Sequence, residues 1–134
     1  MKLIYPAVLY PFSDGSGGYT VEIPDLPGCV SEGADLAEAI LMGTDAASGW
    51  VLDEWEGGNP VPPPSDRDNV AVRSGGIVNL LVLDMDAYAD KYGNKAVRKN
   101  LTIPAWLNTF AEKEGVNFSS VLQDALVERL HIGI

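Results

Sequence analysis

The sequence predicts an α+β protein in two parts, and two observations support this prediction. Residues 1–92 pass from the period-two apolar alternation of strands to a helical period and back, which gives the order βββαβ followed by a short helix. Residues 93–134 show another order, one strand and then two helices. Net charge also changes near this boundary. We therefore expect two domains, residues 1–92 and residues 93–134.

The first three elements are predicted to be strands joined by tight turns. An apolar run covers residues 2–10, and the glycine-rich residues 13–18 supply the positive φ angles that a hairpin turn uses. Residues 19–23 alternate apolar and polar side chains, and the Pro-Asp-Leu-Pro-Gly turn at residues 24–28 leads into a short strand around Cys29. Three antiparallel strands are the expected result.

The period changes to that of a helix at Asp35. Asp35 followed by Glu38 is a capping box, so we expect a helix from there to about residue 55. Residues 57–69 contain four prolines and are predicted to be a loop or stiff connection. A largely buried strand should follow at residues 76–85, and then a short helix that Gly93 ends.

The second part begins with a predicted strand at residues 97–103. Pro104 suits the first turn of a helix that stops at Gly115, and Asn117 is placed to cap a second helix ending near His131. A unit of ~40 residues with neither a disulfide nor a metal buries too little surface to be stable alone. We therefore expect it to form a homodimer.

The whole chain has the composition of a soluble globular protein. Hydrophobic residues make up 46% of it, and its formal net charge is −10. The longest apolar run is far shorter than the ~20 residues of a membrane-spanning helix. The N-terminus lacks the pattern of a secretory signal, so we expect a cytoplasmic protein with no membrane partner. Cys29 is the one cysteine, and a buried apolar thiol is favoured over a reactive one.

The two parts differ in charge. Residues 1–92 carry four basic and fifteen acidic side chains, a balance of −11, whereas residues 93–134 carry five basic and four acidic ones, a balance of +1. No carboxylate side chain occurs between Asp90 and Glu112. An acidic surface repels nucleic acid and attracts basic partners. The two parts therefore suit different ligands.

The basic strand has the features of a DNA-reading ribbon. Side-chain alternation places Arg98, Asn100 and Thr102 on one face. Two such strands, paired antiparallel across a two-fold axis, fit the ~12 Å major groove of B-DNA. Arginine pairs with guanine, asparagine with adenine, and threonine with either base, so we predict that these three residues contact bases. Lys95 and Lys99 are predicted to contact phosphates.

Residues 97–130 resemble a ribbon-helix-helix repressor domain, with polar and apolar alternation, a proline opening the first helix and a Gly-x-Asn turn before the second. The resemblance implies that backbone N–H groups at the start of the second helix hold a phosphate, here at Asn117, Phe118 and Ser119. Many relatives have a polar residue where Phe118 stands, so only its backbone amide is carried over. The alternative is that the strand and helices only dimerise.

Residues 14–40, which include the sequence Pro-Asp-Leu-Pro-Gly-Cys, are similar to the signature of HicB-type antitoxins. The resemblance implies a partial RNase-H-like domain that neutralises HicA, a small basic mRNA-cleaving toxin, and a C-terminal module that represses the operon encoding both proteins. Inhibition would be steric. Glu22 and Asp25 are the candidate toxin contacts, and the alternative is that both are merely solvated acids.

Two other functions are compatible with the sequence. One is a stand-alone ribbon-helix-helix regulator whose acidic domain binds a small ligand or another protein. The other is a metal-dependent nuclease using Glu22, Asp25, Asp84 and Asp86, although no spacing forces these carboxylates to converge. We expect no catalytic residue, no metal and no cofactor. An exposed sheet on the acidic domain could also build tetramers or larger assemblies from dimers.

Overall fold

The computed structural model describes residues 1–93 and 96–132, and these two ranges belong to two different compact units. The first unit is a mixed α+β fold. Its elements in chain order are β1 (Lys2–Pro11), β2 (Tyr19–Glu22), β3 (Val30–Gly33), α1 (Leu36–Glu56), β4 (Ile77–Asp84) and α2 (Met85–Tyr92). The predicted order of strands and helices is confirmed.

The four strands form one antiparallel sheet in the order β3-β2-β1-β4. β1 is the long central strand, and its register places Leu9 opposite both Val21 of β2 and Ile77 of β4. The turn between β1 and β2 closes with a hydrogen bond from Phe12 N to Gly18 O of 2.8 Å. One face of the sheet is buried under α1. The prediction that β4 is largely buried is wrong, because its apolar residues Ile77, Leu80 and Val82 are exposed.

The core lies between this face and α1. Its strand residues include Tyr5, Leu9 and Val21, each no more than 1% exposed. On α1 the buried residues are mostly small: Ala39, Gly43, Ala47, Ser48, Val51 and Leu52. Small side chains let the helix approach the sheet closely. The predicted cap is also present, since the Asp35 carboxylate accepts a 2.8 Å hydrogen bond from Glu38 N.

The proline-rich connection between α1 and β4 is anchored to the sheet. Val61 is buried in the core, and Pro62 O accepts a 2.6 Å hydrogen bond from the Tyr5 hydroxyl. A short 3₁₀ turn, Arg67–Asn69, lies within the segment that was predicted to be irregular. Asp66 caps this turn by accepting from Asp68 N. The sequence prediction missed the turn because three residues carry no periodicity.

The second unit contains two helices, α3 (Ala105–Lys113) and α4 (Phe118–Arg129), near the predicted positions. Gly115 ends the first with φ of 66°, and Asn117 caps the second by accepting a 3.0 Å hydrogen bond from Ser120 N. The strand predicted over residues 97–103 is not formed in the single chain. A strand is held by hydrogen bonds to a neighbouring strand, and the predicted partner belongs to a second copy.

No side chain is buried anywhere in residues 96–132. The exposed residues of this unit include large hydrophobic ones: Val97, Leu101, Ile103, Trp106, Leu107, Phe110, Phe118, Val121, Leu126, Leu130 and Ile132. Packing within α3 includes the edge-to-face pair of Trp106 and Phe110, whose ring centroids are 6.3 Å apart.

Among the helices of residues 1–93 and 96–132, none has both the length and the hydropathy that a membrane-spanning segment needs.

Candidate functional site

The acidic side chains of the first unit lie almost entirely on its surface. Twelve of the fifteen acids in residues 1–92 are exposed, and the other three, Glu22, Asp25 and Glu54, are partly exposed. Exposed carboxylates that are not matched by nearby bases create a negative surface potential. The surface of this unit is therefore suited to a basic partner.

Glu22, one of the two residues proposed to contact a basic partner, lies on β2 and is bound by Arg73 of the connection. The Arg73 guanidinium donates to both carboxylate oxygens, with Nη2–Oε2 of 2.6 Å and Nη1–Oε1 of 3.5 Å. The same guanidinium lies 4.2 Å from the centroid of the Tyr10 ring, and Arg73 N donates to the Tyr10 hydroxyl at 3.1 Å. The hydrogen bonds that Arg73 donates to the Glu22 carboxylate raise the pKa of Arg73 above its usual value.

Asp25, the other proposed contact, lies in the turn between β2 and β3 and also holds the connection. Its two carboxylate oxygens accept from Ser65 N at 2.7 Å and from Ser65 Oγ at 2.6 Å. Tyr5 is fully buried beneath this part of the connection, and burial raises the pKa of its phenol, with a further contribution from the negative charge of Asp25. Asp25 therefore has a structural role besides any role in binding.

Sequence reasoning identified these two acids but missed their partners. Arg73 is 51 positions from Glu22, and Ser65 is 40 positions from Asp25. The sequence contains one indication of the Glu22–Arg73 pair: Arg73 is one of only four basic residues among the first 92. An isolated base in an acidic stretch is a good candidate for an internal ion pair.

The other two carboxylates of the nuclease hypothesis have separate positions. Asp84 caps α2 by accepting a 3.2 Å hydrogen bond from Ala87 N, and Asp86 is paired with the N-terminal ammonium group of Met1. Across residues 1–93 and 96–132, no three His, Cys, Asp or Glu side chains are grouped so that they could hold a metal ion. Cys29 is buried as predicted, and burial raises the pKa of its thiol.

The basic segment before α3 is open to solvent. Arg98, Lys99, Asn100 and Thr102 are all exposed, so each is free to meet a ligand. Lys95, also predicted to contact phosphate, lies outside the described residues.

The predicted phosphate position is the start of α4. The Asn117 side chain is engaged as the cap, and Phe118, which is 45% exposed, begins the helix with Ser119 after it. The first N–H groups of any helix lack partners within the helix, which is the property that the phosphate prediction uses.

These surfaces define a class of protein: a two-part α+β protein with an acidic sheet-and-helix unit and a two-helix unit that is preceded by a short basic segment. The sequence profile of the HicB-like antitoxins of bacterial toxin-antitoxin systems matches residues 5–125. The chain therefore belongs to the HicB-like antitoxin family, as the Pro-Asp-Leu-Pro-Gly-Cys signature indicated.

Individual relatives agree with this assignment. An uncharacterised 14.9 kDa protein of Haemophilus phage HP1 is 29% identical over 105 residues, which are 78% of this chain and 76% of the phage protein. Among solved structures, a toxin-antitoxin complex from Streptococcus pneumoniae matches 96% of this chain and 99% of its own, with 26% identity and a TM-score of 0.63. The antitoxin HicB3 matches 98% of this chain and 100% of its own, with 26% identity and a TM-score of 0.52.

Proposed function

We propose that this HicB-like antitoxin neutralises a small basic mRNA-cleaving toxin of the HicA type through residues 1–92, and represses its own operon through residues 93–134. The observation that carries the proposal is the division of charge between exposed side chains. Acids dominate the surface of the first unit, whereas the segment from Ala96 to Lys113 presents bases and contains one acid, Glu112.

The toxin half of the proposal is supported by charge and by a structural relative. The similar protein from Streptococcus pneumoniae was solved as a toxin-antitoxin complex. A surface rich in carboxylates speeds the capture of a basic partner, and burial of that partner's RNA-binding face would inhibit it sterically. Glu22 and Asp25 stay proposed contacts. Because each also holds the connection, we expect their substitution to affect both the fold and toxin binding.

The DNA half of the proposal is supported by the unburied apolar side chains of α3 and α4. A second copy would cover them and supply the strand partner that residues 97–103 lack, which yields a ribbon-helix-helix homodimer. Arg98, Asn100 and Thr102 would then read bases, while Lys95, Lys99 and the start of α4 meet phosphates. Tetramers or larger assemblies would place two such ribbons on one operator.

Co-expression with the small open reading frame beside this one tests the toxin half. Affinity capture of the full chain should retain the small basic protein, and co-expression should rescue cells from its growth arrest. Failure of both would leave a stand-alone DNA-binding regulator whose acidic domain binds some other ligand.

Operator binding tests the DNA half. Arg98→Ala should weaken binding to the upstream DNA by ~1 to 3 kcal/mol and relax the sequence preference at one position, since a bidentate arginine–guanine pair is the commonest specific base contact. The matched control is Arg129→Ala, which removes an equal charge from the last turn of α4. Toxin neutralisation should be intact in both variants. Equal loss of DNA binding in both would contradict the assignment of base reading to Arg98.

A further inference from the structure

An open cleft of about 380 Å³ lies between the turn that follows β2 and one side of α1. The turn contributes Gly28 and Cys29, and the helix contributes Trp50 and Asp53. This volume is at the small end of pockets that hold ligands, ~300 to 1,000 Å³. The cleft has room for one side chain of a partner.

The aromatic wall of the cleft is held in place. Trp50 Nε1 donates a 3.1 Å hydrogen bond to Pro27 O, which ties the indole ring to the turn. Asp53 lies three residues further along α1, so the two side chains are neighbours on the same helix face. A flat aromatic surface and a carboxylate are therefore adjacent at the mouth of the cleft.

The rest of the lining is small and uncharged. Ala46 and Gly49 precede Trp50 and Asp53 by one helical turn and also line the cleft. Burial raises the pKa of the Cys29 thiol, so it is neutral at physiological pH. Asp53 is the one charged residue of the lining, and within the described residues it forms no ion pair.

We infer that this cleft receives an arginine side chain of the toxin, whose guanidinium stacks on the Trp50 indole and pairs with the Asp53 carboxylate. The inference rests on the proposed function for the identity of the partner. An arginine fits better than a lysine because its planar guanidinium can stack on a ring and present a donor fork to a carboxylate at the same time. A neutral ligand would leave the carboxylate unmatched.

Asp53 is also a better receptor for a partner's charge than the two acids identified from sequence. Glu22 already binds the Arg73 guanidinium, and both oxygens of Asp25 accept hydrogen bonds from Ser65. A new cation would compete with those contacts. A cation that binds Asp53 gains an ion pair and displaces no existing ion pair.

The first test measures binding of a catalytically inactive form of the toxin encoded beside this chain. Asp53→Asn keeps the shape of the side chain and removes its charge, and it should weaken toxin binding at least about tenfold. Asp90→Asn is the matched control, because Asp90 is an exposed acid on α2 and its loss changes the net charge equally. Equal affinities of the two variants would overturn the inference.

The second test needs only this chain. The full protein, labelled with ¹⁵N, is titrated with N-acetyl-arginine amide, and the indole N–H signals of Trp50 and Trp106 are followed by NMR, with Trp50→Phe used to assign the first. The Trp50 signal should shift saturably, the Trp106 signal should not, and Asp53→Asn should abolish the shift. N-acetyl-citrulline amide, which is neutral and nearly the same shape, is the control ligand.

The two tests separate the cleft from the proposed function. If the wild-type chain fails to bind the toxin, the proposed function is wrong, and the arginine titration still decides whether the cleft binds a guanidinium. If Trp50 responds equally to the arginine and citrulline compounds, or responds unchanged in Asp53→Asn, the guanidinium site is disproved even when the toxin binds.

Discussion

Arg73 joins three parts of the first unit: the connection between α1 and β4, strand β1 and strand β2. Its guanidinium binds Glu22 of β2 and lies over the ring of Tyr10 of β1, and its backbone N–H donates to the Tyr10 hydroxyl. The contacts hold the end of the long connection against the sheet. A single residue therefore keeps a surface segment ordered, although it contributes nothing to the buried core.

Removal of Arg73 should loosen the connection without unfolding the unit. We expect Arg73→Ala to increase thermolysin cleavage between residues 66 and 75, while the melting temperature of the core changes little, because local opening is governed by local contacts. Arg67→Ala is the control, since the ion pair that Arg67 forms among the described residues is with its exposed neighbour Asp68, at 3.8 Å. Equal cleavage of both variants would show that Arg73 does not anchor this segment.

Because of Tyr5, the free energy of unfolding should depend on pH in the alkaline range. Its folded-state pKa is raised above the ordinary value of 10.0, so its stabilising effect is complete below pH 10 and is lost as pH rises through the folded pKa. Tyr5→Phe removes this titration and the hydrogen bond to Pro62 O. We expect a loss of about 1 kcal/mol in the free energy of unfolding at pH 7.

The variant's stability should also decline less steeply than that of the wild type above pH 10. Urea unfolding at pH 7 and pH 11 measures both effects, and Tyr19→Phe serves as the control because it removes a phenol that does not bind the connection. A parallel decline in wild type and Tyr5→Phe would contradict the role given to Tyr5.

At the residue scale, the sequence predicted the burial and the capping role of side chains better than it predicted which residues they contact. It predicted a buried Cys29 and caps at Asp35 and Asn117, because those inferences use neighbours within a few positions. The partners of Glu22 and Asp25 are brought together by the fold across dozens of residues, and no periodicity reports such a meeting. The cleft at Trp50 was missed for the same reason.

At the element scale, β3 and the start of α1 approach each other closely at Gly33. A Cβ atom at Gly33 would collide with the backbone of Ala39 and lie 2.6 Å from the carbonyl carbon of Glu38. Backbone cannot move aside as a flexible side chain does. Glycine is required there by the packing of the helix on the strand.

Gly33→Ala should therefore push α1 away from β3. We expect the free energy of unfolding to fall by ~2 kcal/mol or more, as in other overpacked sites. Ser31→Ala is a mild substitution two residues earlier on β3 and should cost far less. Chemical denaturation of both variants measures the difference, and a stability of Gly33→Ala close to that of the wild type would show that the helix start adjusts freely.

The elements of the first unit were predictable because each has a local cause. Glycines mark the hairpin turn, the Asp35 cap begins α1, and prolines end helical structure after residue 57. Residues 97–103 show the limit of such reasoning. Their alternation predicts a strand, but a strand also requires a partner, and the single chain does not supply one.

At the scale of the whole molecule, the two units differ in how they can be stable. The first has a continuous core from Leu3 to Met85, whereas residues 96–132 of the second include no buried side chain in the single chain. Exposed apolar groups such as Trp106, Phe110 and Leu126 favour association. The second unit should therefore be ordered only in a dimer, and DNA binding should depend on protein concentration while toxin binding does not.

Leu126→Glu tests this difference. Leu126 is 47% exposed on α4, so a single chain should tolerate the charge, whereas a dimer that buries this position should dissociate. Analytical ultracentrifugation should show a monomer, and operator binding should be lost, while the toxin is still captured through the first unit. Gln123→Glu adds the same charge to an exposed polar position of the same helix and should leave the dimer intact. A dimeric Leu126→Glu that binds its operator normally would place the association surface elsewhere, because the charge would then lie in solvent in the assembly as well.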